Sequence, residues 1–345
     1  MSATVRAEPM LSIRLVWPFA RLIAAHPEGL EILPALGLDV SELADPDMRV
    51  PHRVAFRALE EAERRLGDPT LGLRAGALSD ASDFGLLDRT LAAAPNLGAA
   101  YALAARYYRI MDDASNLMLS VEDDLAIWRL RTIDDTTTPP AANDYAVMAS
   151  LSFERRTVSV YEPPLEVRLA HPRPSHADVY ERHFGCSVRF GAPENAIVMK
   201  KTRLEVPMLR ANARMSSAFE HQLKHVYDRL SADRRATERV RQEISQQFYR
   251  GTVSMEKTAR RVGMSVATLR RRLGEEGTTF SAIVDDLRHK LAERYLRATE
   301  PSVGEIAFLL GFSDVTAFAR AFRRWTGVSP SEFRESSRVA PNTAS

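Results

Sequence analysis

The chain has 345 residues, of which 45% are hydrophobic and 27% charged, a composition that excludes wholesale disorder and, at this length, predicts more than one domain. Cys186 is the only cysteine, which excludes an intrachain disulfide and a Cys-rich zinc site and makes a reducing cytoplasm the expected location. The net charge of +2 conceals a segregation: residues 229–338 hold 21 Lys and Arg against 14 Asp and Glu, and the rest of the chain 26 against 31. An anionic partner is expected for the C-terminal part only, and charge alone fits DNA, RNA or a membrane surface.

The most apolar N-terminal run, LSIRLVWPFARLIAAH at 11–26, is interrupted by Arg14, Pro18 and Arg21. It is neither a spanning segment nor a signal peptide, and reads as an amphipathic helix. From Ile13 to about Ala77 the pattern is helical in pieces, including PEGLEILPALGLDVSEL (27–43) and a helix opened by Pro51 and closed by Gly67. Leu97 to Met111 is a further helix. The period then changes, and residues 116–133 alternate around Asp123-Asp124, a hairpin in which Leu117, Leu119 and Val121 share a face with Leu125 and Ile127. Asn143 to Val160 is helical, Pro163-Pro164 ends it, and LEVRLAHPRP reads as a strand leading into a rigid loop. Short strands at 187–190 and 196–200 and a helix at 213–230 complete a mixed α and β region.

After residue 230 no strand signal occurs. Helices are expected at 238–249, 255–262, 265–273, 280–296, 303–310, 314–326 and 331–335, an all-α domain. Disorder is expected only at 1–9 and 337–345.

Two stretches of this domain resemble each other: TARRVGMSVATLRRRLGEEG (258–277) and EIAFLLGFSDVTAFARAFRRWTG (305–327). Aligned on Gly263 and Gly311, each has a small residue four positions earlier (Ala259, Ala307) and a serine two positions later (Ser265, Ser313) able to cap the next helix. Glycine supplies a left-handed turn and alanine a close helix crossing, the helix-turn-helix layout written twice. On the second helix of each pair, Leu269 with Leu273, and Phe318 with Phe322 and Trp325, form the inward stripe. Ala267 and Arg271, and Thr316, Arg320 and Arg323, then face outward, with Arg270 on the flank. The guanidinium fork suits guanine edges and phosphates, so the rings hold the helix and the arginines meet DNA. The intervening helix of 17 or so residues would be ~25 Å long. Successive major-groove segments lie ~34 Å apart, so one chain can address two of them, with some DNA bending.

EIAFLLGFSDVTAFARAFRRWTGVSPSEFR closely resembles the signature of the AraC-type (arabinose-regulator-type) transcription factors. The resemblance implies base contacts from Ala267, Thr268, Arg270, Arg271, Val315, Thr316, Ala319 and Arg320, joined by Arg323 from the wheel. The first unit departs from it in Gly274 and the short exit GEEGTTF. DPDMRVP, GDPTLGL, LEVRLAHPRP and Phe184 to Ala192 resemble the α/β sensor domain of the subgroup typified by ornithine-utilisation regulators, and not the jelly-roll sugar-binding domain of the arabinose regulator.

The expected fold is therefore an α+β N-terminal sensor domain plus an all-α C-terminal domain with two helix-turn-helix units joined by a linker helix. The expected boundaries are 1–230, 231–338 and a tail at 339–345. The expected function is a sequence-specific, effector-responsive transcription activator, with an architectural DNA-binding protein as the alternative. Its expected partners are double-stranded promoter DNA, RNA polymerase, a small-molecule effector of unknown identity and a second copy of itself, with no membrane and no cofactor. His221 and His225 lie one turn apart, but Gln222 stands where a metalloprotease has its catalytic glutamate, and they read as a helix face. His171, His176 and His183 read as loop-shaping residues, and Cys186 as a small buried one. Tyr101, Tyr107, Tyr108 and Trp128 either line a ligand pocket or belong to plain core. No catalytic grouping is found, and no enzyme activity is expected.

Overall fold

The computed structural model describes residues 8–27, 43–132, 138–232, 236–250, 253–297 and 301–339. The chain divides into two compact units, one made of residues up to Leu230 apart from Gly191–Pro193, the other of those three with residues from Ser231 onward. The helical stretch expected at 27–43 lies almost wholly outside the described residues, as does most of the chain expected to be disordered at either end.

The first unit opens with β1 (Met10–Ser12), which pairs antiparallel with β2 (Arg49–Pro51). Strands of three residues carry no readable alternation, so the helical pattern concealed them. Helices α1 (Trp17–Ala24), α2 (His52–Leu66), α3 (Leu71–Ala77), α4 (Ala81–Phe84), α5 (Leu86–Ala92) and α6 (Leu97–Tyr107) follow. Pro51 occupies the N-cap of α2, and Gly67 its C-cap at φ 59°. Asn96 caps α6 by accepting the Ala99 N–H at 2.9 Å.

Helix α3 lies directly on α7 (Pro140–Thr157) because Gly72 and Gly76 present bare backbone to it. A Cβ at Gly72 would stand 2.1 Å from the Ala141 carbonyl oxygen, and one at Gly76 2.5 Å from Met148 Cβ.

The sheet has five strands in the order β3-β4-β7-β5-β6. They are β3 (Ser115–Glu122), β4 (Leu125–Thr132), β5 (Glu166–Arg168), β6 (Ser187–Arg189) and β7 (Asn195–Lys200). Only the β5–β6 pair is parallel. The hairpin turn is Asp123-Asp124 as expected, with Asp123 at φ 52°, a conformation that Asp tolerates better than most residues. The facial assignment needs correction. A two-residue turn pairs Val121 with Ala126, Leu119 with Trp128 and Leu117 with Leu130, so Leu125 and Ile127 point to the opposite face.

The face bearing Leu117, Trp128, Leu130, Val167, Ile197 and Met199 joins the main core with α1, α6 and α7. The other face carries Ile127, Ala196 and Val198 beside an ion network in which Glu194 accepts from Arg129 Nε at 2.6 Å and also pairs with Arg131. Helix α8 (Asp178–Phe184) adds Tyr180, whose hydroxyl donates to Asp144 at 2.8 Å, and His171 Nε2 lies 3.0 Å from the same carboxylate. Helix α9 (Ala213–Ala232) is anchored to α6 by the Tyr107 hydroxyl, which donates to Glu220 at 3.0 Å.

From Ala236 onward the regular elements among the second unit's described residues are helices: α10 (Ala236–Arg250), α11 (Met255–Arg261), α12 (Val266–Glu275), α13 (Phe280–Arg297), α14 (Val303–Leu309), α15 (Val315–Thr326) and α16 (Pro330–Val339). Helix α16 is longer than expected and makes residues 337–339 helical rather than disordered. Two apolar clusters form, one around Val240, Ile244, Leu269, Leu273 and Ile283, the other around Leu296, Ile306, Leu310, Phe318 and Phe322.

Candidate nucleic-acid interface and sensor cavities

The two repeats turn in the same way. At the end of α11, Met264 N–H donates to the Ala259 carbonyl at 2.8 Å and Gly263 N–H to that of Arg260 at 3.2 Å; at the end of α14, Phe312 N–H donates to Ala307 at 3.0 Å and Gly311 N–H to Phe308 at 2.9 Å. This is the Schellman pattern, with the glycines at φ 70° and 72°. Ala259 and Ala307 are buried at the crossings.

The repeats then diverge by one residue. Ser265 caps α12, accepting the Thr268 N–H at 3.1 Å. In the second unit Ser313 does not cap: Asp314, one residue further on, accepts the Ala317 N–H at 2.7 Å, and Ser313 donates its hydroxyl to that carboxylate at 3.0 Å. These bonds hold the Asp314 carboxyl below its ordinary range. The extra residue restores equivalence in the helices, because Leu269 and Leu273 then match Phe318 and Phe322, all fully buried. Arg271 thereby matches Arg320, and Gly274 matches Arg323.

Of the expected contact residues, Ala267, Arg270 and Arg271 on α12, and Val315, Thr316, Arg320 and Arg323 on α15, are exposed. Thr268 and Ala319 are half-buried on the flanks, and the Thr268 hydroxyl lies 2.9 Å from that of Ser265. Arg271 forms an exposed pair with Glu275 at 2.5 Å, which costs at most about 1 kcal/mol to break. Arg270 Nε lies 3.4 Å from Met255 Sδ. Arg320 and Arg323 enter no ion pair among the described residues. Arg324, beside them, is turned away to Asp285 at 3.0 Å.

The linker α13 holds both units. Its first half contributes Ile283, Val284 and Leu287 to one cluster and its second half Ala292, Tyr295 and Leu296 to the other. Arg288 closes the end of α14, donating to the carbonyls of Leu310 at 3.0 Å and Gly311 at 3.3 Å, with its guanidinium 4.8 Å from the Phe312 ring centre. His289 stacks on Trp325 at 5.5 Å. The exit GEEG holds the start of the domain in place, because Glu276 accepts the N–H groups of Ala236 at 2.7 Å and Thr237 at 2.8 Å, capping α10 from 39 and 40 residues away. Neither Arg288 nor Glu276 is legible in the sequence, since each acts on a segment distant along the chain.

Residues 258–336 match a family described as helix-turn-helix domain, and residues 30–208 one described as the arabinose-binding domain of AraC transcription regulator, N-term. The ornithine utilization regulator of Pseudomonas aeruginosa is 35% identical over 278 residues, covering 79% of this chain and 81% of that protein. The chain belongs to the AraC-type family of transcription regulators. The transcriptional activator NphR of a Rhodococcus species is 35% identical over 108 residues, 30% of this chain and 32% of that one. The crystal structure of the transcriptional regulator CdpR from Pseudomonas aeruginosa is 23% identical, with 93% of this chain and 98% of that one covered at a TM-score of 0.44.

This AraC-type regulator thus has a DNA-binding C-terminal domain, and the proteins it is related to are regulators rather than enzymes. The N-terminal match is to the arabinose-binding domain itself, which corrects the expectation that the motifs of this region set it apart from that domain; among its described residues the unit holds a two-stranded and a five-stranded sheet. No helix among the described residues is long and apolar enough to cross a membrane.

Two cavities open among the described residues of the regulator's N-terminal unit. The larger, about 110 Å³, lies among α1, α2, α7 and the β3–β4 hairpin; the smaller, about 60 Å³, lies among α5, α6, α7 and the same hairpin. Trp128 and Tyr101 stack at 4.2 Å and 10° and both line the smaller cavity, whereas Tyr107 lines neither. Tyr101 donates to the buried Glu154, which Arg203 also grips. Cys186 is half-buried and its thiol is pushed up to about 11, chiefly by burial. His221 and His225 meet edge-to-face at 4.5 Å on α9.

Proposed function

We propose that this regulator reads two neighbouring major-groove segments with α12 and α15, and that a small molecule bound in its N-terminal unit alters how it does so. The observation carrying the DNA reading is the matched pair Arg271 and Arg320. Each is exposed one turn into a helix whose opposite face is locked by buried rings or leucines, beyond a glycine turn of the same geometry. Arg323 adds a cation at the position where the first unit has Gly274. Base contacts are assigned to Ala267, Thr268, Arg270, Arg271, Val315, Thr316, Ala319 and Arg320, with Arg323 joining them or gripping phosphate. The domain limits taken are 1–230 and 231–338, with the tail beyond.

The effector acts by binding the DNA-competent arrangement more or less tightly than the alternative. Activation is favoured over repression, since relatives such as NphR carry the name of activators. Action as a cytoplasmic homodimer that recruits RNA polymerase extends this reading on the family resemblance. The test is binding of the full-length chain to its own upstream DNA and to a random duplex across a salt series. A preference of about a thousandfold or more marks a sequence reader. Equal affinity for both duplexes, governed by salt alone, would mark an architectural protein instead.

A further inference from the structure

The two cavities share a wall of Tyr108, Leu117, Leu130 and Ala146, and the groups around them discriminate among ligand chemistries. The larger is closed on one side by Leu15, Phe19, Ile23, Phe56 and Leu59 from the start of the chain and α2, none of which offers a side-chain hydrogen bond. An apolar cavity of ~150 Å³ admits benzene. Neither cavity alone, at about 110 and 60 Å³, reaches that size, so a molecule of about six to eight non-hydrogen atoms has to occupy both across the residues they share.

The polar groups are unevenly committed. Asp112, which lines the larger cavity, accepts from His52 at 2.6 Å, Ser115 at 2.6 Å and the Ala114 N–H at 2.9 Å. Asp88, which lines the smaller, is paired with Arg156. Both carboxylates are therefore already engaged. One donor is not. Trp128 is 1% exposed and its indole N–H has no hydrogen-bond partner. Tyr108 is half-buried and lines both cavities. Burial raises the Tyr108 phenol well above its ordinary range, so it remains an O–H donor at any working pH. The buried Trp128 N–H without a partner is costly and calls for an acceptor.

We infer that the sensor unit takes an uncharged, mainly apolar molecule of about six to eight non-hydrogen atoms with one carbonyl-type acceptor oxygen, hydrogen-bonded by Trp128 and Tyr108. This rests on the reading of the N-terminal unit as effector-sensing and names the class of effector. A pentose, hydroxylated all round, is poorly matched to the apolar side formed by Leu15, Phe19, Ile23, Phe56 and Leu59, and an amino acid with a second ammonium carries charges that the engaged carboxylates leave uncompensated.

The test uses full-length protein, calorimetry and melting temperature, with cyclohexanone and hexanamide as probes and L-ornithine and L-arabinose as contrasts. Saturable binding of the ketone and the amide is expected. Tyr108→Phe, which removes only the hydroxyl, should weaken it about five- to tenfold; Ala146→Phe, which fills the shared wall, should abolish it. The inference is overturned if neither probe binds, or if they bind and both variants leave the affinity unchanged. The sensing reading fails separately, if ligands bind but leave the affinity for DNA unaltered.

Discussion

At the residue scale, arginines close together on one helix have different freedoms. Arg324 is held by Asp285 on the linker, whereas Arg320 and Arg323 remain exposed and outside any ion pair among the described residues. Replacing Arg320 with alanine should weaken binding at the cognate site by about 1–3 kcal/mol with a smaller effect on random DNA; a gel-shift series showing equal losses on both would remove it from base reading. A second residue-scale case lies in the N-terminal unit. Burial, reinforced by Asp144, Asp68 and Glu60, raises Glu63 from 4.5 to about 7. An acid with a raised folded pKa holds its proton more tightly in the folded chain, so the stability that it lends is complete below about 4.5 and is lost as pH rises through about 7. Glu63→Gln should therefore raise the melting temperature at pH 8 more than at pH 5, and equal shifts at the two would contradict the assignment.

At the element scale, the turns and helix contacts carry the constraint. Gly311 stands at φ 72° between α14 and α15, and alanine there should cost about 1–2 kcal/mol through the left-handed backbone alone. Denaturant unfolding that shows no loss would mean that the turn relaxes. The α3–α7 contact is stricter, because a side chain at Gly76 meets Met148 Cβ and the Tyr145 carbonyl oxygen rather than a flexible tip. Gly76→Ala should destabilise the N-terminal unit by about 1–3 kcal/mol, read as a lower midpoint with an unchanged slope against denaturant.

At the scale of the whole molecule, the linker sets what DNA must do. Its 18 residues span ~27 Å at 1.5 Å per residue, short of the ~34 Å between successive groove segments. Bound DNA should therefore bend, and circular-permutation gels in which the position of the site leaves mobility unchanged would refute simultaneous engagement of both helices. Much of this was determined by the sequence itself. The glycine turns, the inward stripes of Leu269, Leu273, Phe318 and Phe322, and the segregated charge are local or periodic, and local chemistry is readable along a chain. The hairpin turn was legible for the same reason, while its facial assignment was not, because one residue of register decides which side chains share a face. Only the tertiary structure decided that Asp314 rather than Ser313 caps α15, that Glu276 caps α10, that Arg288 closes α14, and that Trp128 and Tyr108 line cavities. A cap depends on where the helix begins to a single residue, and a cavity wall depends on which distant elements meet. Neither is written in spacing.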